Sequence, residues 1–189
     1  MDLITEIKQC TVCEPHLELG ANPVFSVSPF SKIVIIGQAP GRIVHETGVP
    51  WNDQSGDNLR SWLQVDNETF YNADLFAIVP MGFCYPGTGK SGDLPPRKEC
   101  APLWHGPLLR MMPAARLTLL IGQYAQKYYL AGRRRKNLTA TVKNYRDYLP
   151  EFIPLPHPSP RNNIWQKKNP WFKDELLPEL RRLTADALR

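Results

Sequence analysis

Four short apolar runs constrain the fold more than any other feature of this chain. Lys32-Ile-Val-Ile-Ile36 is closed by Gly37, and Leu75-Phe-Ala-Ile-Val79 by Pro80. Leu117-Thr-Leu-Leu-Ile121 is closed by Gly122, and Phe152-Ile-Pro-Leu155 by Pro156. These runs do not alternate with polar residues, so each needs cover on both faces, as a parallel strand does. Segments of helical character lie between and around them. A first short helix is expected over residues 2–10, another over 55–63 with Leu59, Trp62 and Leu63 on one face, and others over 96–112 and 123–130. The last spans 170–188, opened by Pro170 and amphipathic through Leu176, Leu177, Leu180 and Leu183. Residues 14–31 and 80–95, rich in Gly and Pro, read as loops. Alternating strands and helices predict an α/β protein with a three-layer α/β/α architecture around a central, mostly parallel four-stranded sheet. At 189 residues it is expected to be a single domain, residues 1–189.

Ligands of such sheets bind beyond the carboxyl ends of the strands. Three segments fall there: Gly37–Gly41, Pro80–Cys84 and His157–Pro160. Gly37-Gln-Ala-Pro-Gly41 is a tight, stiff turn that can approach a flat or anionic ligand closely, because little side chain intervenes. In His157-Pro158-Ser159-Pro160 two prolines fix the backbone around a histidine and a serine.

After the first and last strands of an α/β chain, these two motifs resemble those of the uracil-DNA glycosylase superfamily. The resemblance runs from Cys10 to about Phe172 and is closest to the iron–sulfur-containing (family four) branch. It implies a uracil-DNA glycosylase-like fold and a DNA N-glycosylase that flips a damaged, deaminated base and hydrolyses its N-glycosidic bond. It implies a base pocket of Gly37, Ala39, Pro40, Gly41, Trp51, Asn52 and Pro80, with Trp51 of Gly48-Val-Pro-Trp51 stacking on the base. His157 and Gln38 are the implied catalytic groups, His157 stabilising the departing base anion. Two positions depart from the family pattern. Ala39 stands where one branch carries a water-activating Asp, and Pro80 where the iron–sulfur branch carries an Asn that reads uracil. His45 and Asp53, polar residues near the first motif, are candidates for activating water. These departures keep open an alternative, a non-catalytic DNA-binding protein that retains the fold and the cluster.

The chain has four cysteines. Cys10-x2-Cys13 lies ahead of the first strand, while Cys84 and Cys100 flank a long loop. Four thiolates suit a [4Fe–4S] cluster or zinc, and spacing alone does not choose between them. The split arrangement resembles that of the cluster-bearing glycosylases, which implies a [4Fe–4S] cluster with a structural role.

The formal net charge is +5. Its concentration after the second motif suits a polyanionic partner better than its total does. Pro158, Ser159, Pro160, Arg161, Lys167 and Lys168 are the expected DNA contacts, with Ile164 or Trp165 as an apolar wedge. The partner is expected to be lesion-containing DNA, single- or double-stranded. No run approaches the ~20 apolar residues of a membrane span. The expected state is a cytoplasmic, nucleoid-associated monomer.

Overall fold

The strands are β1 (Ile33–Ile36), β2 (Phe76–Ile78), a two-residue pair β3 (Thr88–Gly89) and β4 (Gly92–Asp93), β5 (Leu117–Ile121) and β6 (Phe152–Leu155). They were located in a computed structural model that describes residues 2–90 and 92–189. The main sheet has the order β2-β1-β5-β6 and every neighbouring pair is parallel. Ile33 sits opposite both Phe76 and Leu117, so β1 is hydrogen-bonded along both edges. The chain leaves β1 toward β2 and then crosses back to β5, so the strand order reverses at β1. That reversal opens a crevice at the carboxyl end of a parallel sheet.

The helices are α1 (Leu3–Lys8), α2 (Arg42–Thr47), α3 (Gln54–Leu63), α4 (Asn67–Tyr71), α5 (Cys100–Arg110), α6 (Gly122–Leu130), α7 (Leu138–Lys143), α8 (Asn163–Lys168) and α9 (Leu177–Leu188). Side chains alternate across a strand, and the two faces of the sheet carry different covers. Ile33, Ile35, Leu117, Leu119, Ile153 and Leu155 pack with residues of α3, α4, α7 and α9. Val34, Ile36, Ala77 and Leu120 pack with residues of α1, α5 and α6. The fold is therefore a three-layer α/β/α arrangement with a four-stranded parallel sheet.

The differences from the sequence-based expectation have local causes. The loop over 80–95 contains the β3–β4 pair, joined antiparallel. The helix expected over 96–112 starts at Cys100, since Pro95 and Pro96 hold their predecessors extended. The helix expected over 170–188 begins with a wide π-turn, Phe172–Leu176, before α9. Pro178 explains it: proline has no N–H and its ring crowds the carbonyl four residues back. Of the expected DNA contacts, Pro160 and Arg161 lie on a 3₁₀ turn, Pro160–Asn162, and Lys167 and Lys168 on α8. Helices α4 and α7 lack apolar periodicity but are capped, Asp66 accepting from the Thr69 N–H at 2.8 Å and Asn137 from the Ala140 N–H at 2.8 Å. Among the described residues, no helix is long and apolar enough to cross a membrane.

One polar tie crosses the layer of α5 and α6. His105 is buried, with Nε2 3.0 Å from the Pro80 carbonyl and Nδ1 2.6 Å from the Tyr129 hydroxyl. A carbonyl only accepts, so Nε2 carries the proton and Nδ1 accepts from Tyr129. Burial lowers the His105 pKa from 6.5 to about 4 and raises that of Tyr129. The unfolded chain takes up this proton at a higher pH than the folded one. Stability is thus full above about pH 6.5 and is lost as pH falls toward 4. The loss expected from His105 is about 3 kcal/mol. Urea unfolding at a series of pH values should show it, and a His105→Gln variant should show a shallower slope over the same window.

Candidate active site

The first motif leaves β1 and is clamped to the chain beyond β2. The Met81 N–H donates to the Gly37 carbonyl at 2.9 Å, and the Gly82 N–H to the Gln38 carbonyl at 3.0 Å. Beyond α2, which ends at Gly48 in the left-handed region, lies Trp51. Trp51 is itself left-handed, with φ 57°. A bulky residue there is strained, at a cost of order 1–3 kcal/mol, and persists only when its surroundings over-determine it. They do. The Trp51 carbonyl accepts from Arg60 Nη1 at 3.3 Å and from the Tyr71 hydroxyl at 3.3 Å. Arg60 is buried, pairs with Asp57 at 2.7 Å and lies over the rings of Phe70 and Tyr71. Gly56 completes the clamp, because a Cβ on it would stand 1.8 Å from the Trp51 carbonyl oxygen. The indole also passes close over Gly37, where a Cβ would lie 3.0 Å from Trp51 Cζ2.

The second motif is held as tightly. Asn162 Nδ2 donates to the His157 carbonyl at 2.7 Å, and Asn58 Nδ2, from α3, to the Pro158 carbonyl at 2.7 Å. The Ser159 N–H donates to His157 Nδ1 at 3.2 Å. Nδ1 is therefore an acceptor, and Nε2 is the nitrogen that carries the proton. Burial lowers the His157 pKa, opposed by the charge of Asp53, so the ring is neutral at neutral pH. The rings of His157 and Trp51 are 5.7 Å apart and inclined by 35°.

These segments enclose a cavity of about 490 Å³, within the range of small-molecule sites. Of the residues expected to be functional, Gly37, Gln38, Ala39, Pro40, Gly41, Trp51, Asp53, Pro80, His157, Ser159 and Arg161 line it. His45 and Asn52 do not. His45 stands against Tyr85, with ring centroids 6.0 Å apart and its buried Nδ1 without a partner. Asn52 is exposed. Asp53 Oδ1 accepts from the Gly56 N–H at 2.9 Å, capping α3. Pro158 and Pro160 support the turn from outside the lining, and Lys167 and Lys168 are exposed at the end of α8. Of the two wedge candidates, Ile164 is 67% exposed. Trp165 instead packs against Trp171 and Phe172 and donates from Nε1 to Thr139 at 2.8 Å. Sequence reasoning missed Asp93, Ser55 and Asn162 in the lining. Asp93 carried no usable signal, since it lay in a segment read as loop.

The four cysteines form a second site that shares no lining residue with the first. Cys10, Cys13, Cys84 and Cys100, all free thiols, line one small cavity with Leu17, Phe83 and Trp104 among others. Burial raises the thiol pKa of Cys84 to about 11 and of Cys100 to about 12. Without a neighbouring positive charge they are neutral thiols. Four sulfur donors around one cavity fit the chemistry of an iron–sulfur cluster. Among the described residues, however, no three His, Cys, Asp or Glu side chains form a group that could hold a metal ion as they stand.

Residues 25–181 match the family model of the uracil DNA glycosylase superfamily. The match does not distinguish a branch, and Cys10 and Cys13 lie ahead of it. Among solved structures, the chain is similar to the solution NMR structure of a candidate uracil DNA glycosylase from Methanosarcina acetivorans. The identity is 17%, over 85% of this chain and 98% of that one, with a TM-score of 0.46.

Gly56→Ala is expected to destabilise the protein by about 1–3 kcal/mol, because the added methyl has only backbone to displace. Combining it with Trp51→Gly, which adopts a positive φ freely, should recover part of that loss. Urea unfolding of the two single variants and the double variant measures the coupling.

Proposed function

The chain belongs to the uracil DNA glycosylase superfamily, and we propose that it flips a deaminated base, uracil or a related lesion, out of DNA into this cavity and hydrolyses its N-glycosidic bond. The observation that carries this reading is the convergence of the first motif, Trp51 and His157 on one cavity from three distant stretches of chain. A base inside a duplex is out of reach of protein side chains and must be extruded. Trp51 offers it a flat face, and stacking on an aromatic ring is worth about 1–3 kcal/mol per base. The 38–41 turn brings backbone and the Gln38 amide to the base edge. An amide both donates and accepts, as the edge of uracil does. Gln38 thereby takes the reading role that Pro80 has no side chain to play.

As the glycosidic bond breaks, the sugar gains positive and the base negative charge. The neutral His157, with its proton on Nε2, donates to a base carbonyl and holds that negative charge. One such preorganised donor is typically worth about 2.7–4 kcal/mol. Outside the cavity, Ile164 serves as the wedge that occupies the vacated stack. Ser159, Arg161, Lys167 and Lys168 contact phosphates. None of the three cations is engaged in an ion pair among the described residues, whereas Arg133 pairs with Glu151 and Arg135 with Asp147. We further propose that Cys10, Cys13, Cys84 and Cys100 hold a [4Fe–4S] cluster, with zinc as the alternative. Either group would cross-link the segments that carry the thiols and supply them with a positive counter-charge.

The test is incubation with single- and double-stranded oligonucleotides carrying uracil, hypoxanthine, xanthine or a thymine mismatch, followed by alkaline strand scission. Scission at one or more lesions is expected, and His157→Ala should slow single-turnover excision by roughly 10²–10³-fold. Binding without scission would leave a DNA-binding protein and overturn the enzymatic reading. A broad visible absorption lost in Cys84→Ser marks an iron–sulfur cluster; a colourless protein with bound zinc marks the alternative.

A further inference from the structure

Hydrolysis needs a group that takes a proton from water, and the residues of the two motifs do not supply one. Ala39 has only a methyl group. In His157, Nδ1 already accepts from Ser159 and Nε2 carries the proton, so no lone pair is free. His45 lies outside the cavity lining. Asp53 lines it but spends Oδ1 on the cap of α3.

The β3–β4 hairpin brings in one more carboxylate. Asp93 lies on the rim of the cavity, and none of its side-chain oxygens is engaged in a hydrogen bond or ion pair among the described residues. Its placement is specific on two sides. Asp93 Oδ2 stands 3.5 Å from the position a Cβ on Gly41 would take, which sets the carboxylate beside the first motif. Gly92, just before it, has φ +128°, a conformation that only glycine adopts readily. A Cβ there would lie 3.3 Å from Arg161 Nη1, which sets the hairpin against the expected phosphate-binding turn.

We infer that Asp93 is the carboxylate that takes the proton from the attacking water, an inference that rests on the glycosylase reading above. With the base against Trp51 and the phosphate near Arg161, the sugar lies between them, at the rim that Asp93 occupies. A carboxylate there stabilises the positive charge that grows on the sugar; beside the base it would oppose the departing anion. In the step, the water oxygen bonds to C1′ as the C1′–N bond breaks. The bonding pair leaves with the base, which His157 stabilises. The water proton passes to Asp93, which releases it to solvent or to the departed base.

The charges around Asp93 suit this role. Partial loss of hydration raises its carboxyl pKa from the ordinary value, Arg161 opposes that rise and Asp53 adds to it. A carboxylate shifted in this direction is a stronger base. Asp53, Arg161 and His157 are the other ionisable side chains of the lining, and His157 is neutral there.

The test compares the wild-type chain with Asp93→Asn, Asp93→Glu and Asp53→Asn in single-turnover excision, on the lesion that the wild type cuts best. Affinity for the abasic product duplex is measured alongside. Asp93→Asn is expected to slow excision roughly 10²-fold or more, with affinity within about threefold of wild type and partial recovery in Asp93→Glu. The wild-type rate should rise with pH through the raised Asp93 titration, and that rise should vanish in Asp93→Asn. Excision by Asp93→Asn within about threefold of wild type overturns the inference and leaves the glycosylase reading standing. So does a parallel loss of rate and affinity, which would make Asp93 a binding residue. If the wild type excises none of the lesions, the glycosylase reading falls, and this assignment falls with it.

Discussion

Strand β1 is the constraint on which the rest depends. It is hydrogen-bonded to β2 along one edge and to β5 along the other, and Ile33 to Ile36 are fully buried on both faces. Fully burying side chains of this size is worth about 1.5–3 kcal/mol each, so the register of β1 has little freedom. Its carboxyl end is therefore a fixed point. The first motif starts there, and the chain beyond β2 is laced to it through Gly37 and Gln38. With all four strands parallel, the second motif emerges from β6 on the same side of the sheet.

That fixed end carries a strained residue. Trp51 is held left-handed by hydrogen bonds to its carbonyl from Arg60 and Tyr71 and by two glycines that leave it room. The clamp has its own foundation, since Arg60 lies over Phe70 and Tyr71 and α3 is capped by Asp53. The energy of a buried guanidinium is spent on keeping an indole against His157. The same helix also holds the second motif through Asn58. A flat platform beside a fixed imidazole needs such support, because a small displacement of either would open the cavity.

The thiol site and the cavity are separate pockets joined by a short segment. Pro80 lines the cavity, Cys84 lines the thiol site, and His105 grips the Pro80 carbonyl from α5, the helix that Cys100 opens. A rigid group on the thiols would stiffen the segment that bounds the cavity. The proton and charge arrangement around the cavity is likewise divided. The neutral His157, together with Asp53 and Asp93, lines the cavity, while Lys167 and Lys168 lie on the outer surface.

The amino-acid sequence by itself determined the four strands of the main sheet, their parallel arrangement and the turns at their ends, because short apolar runs closed by Gly or Pro leave little else open. The resemblance carried by its short motifs also pointed to Trp51, His157 and the 37–41 turn, which the fold brings to one cavity. Short helices such as α4 and α7 escaped it, since caps rather than periodicity create them. What only the tertiary structure decided was who faces whom. His45 is four residues past the end of the first motif yet lies outside the cavity lining, whereas Asp93, over fifty residues away in sequence, lies on its rim. Trp165 was drawn into an aromatic cluster and Ile164 left exposed. The physical reason is the same in each case. Periodicity records which face of an element is buried, but the meeting of a hairpin with a distant turn depends on packing among residues remote in sequence, and no local pattern encodes it.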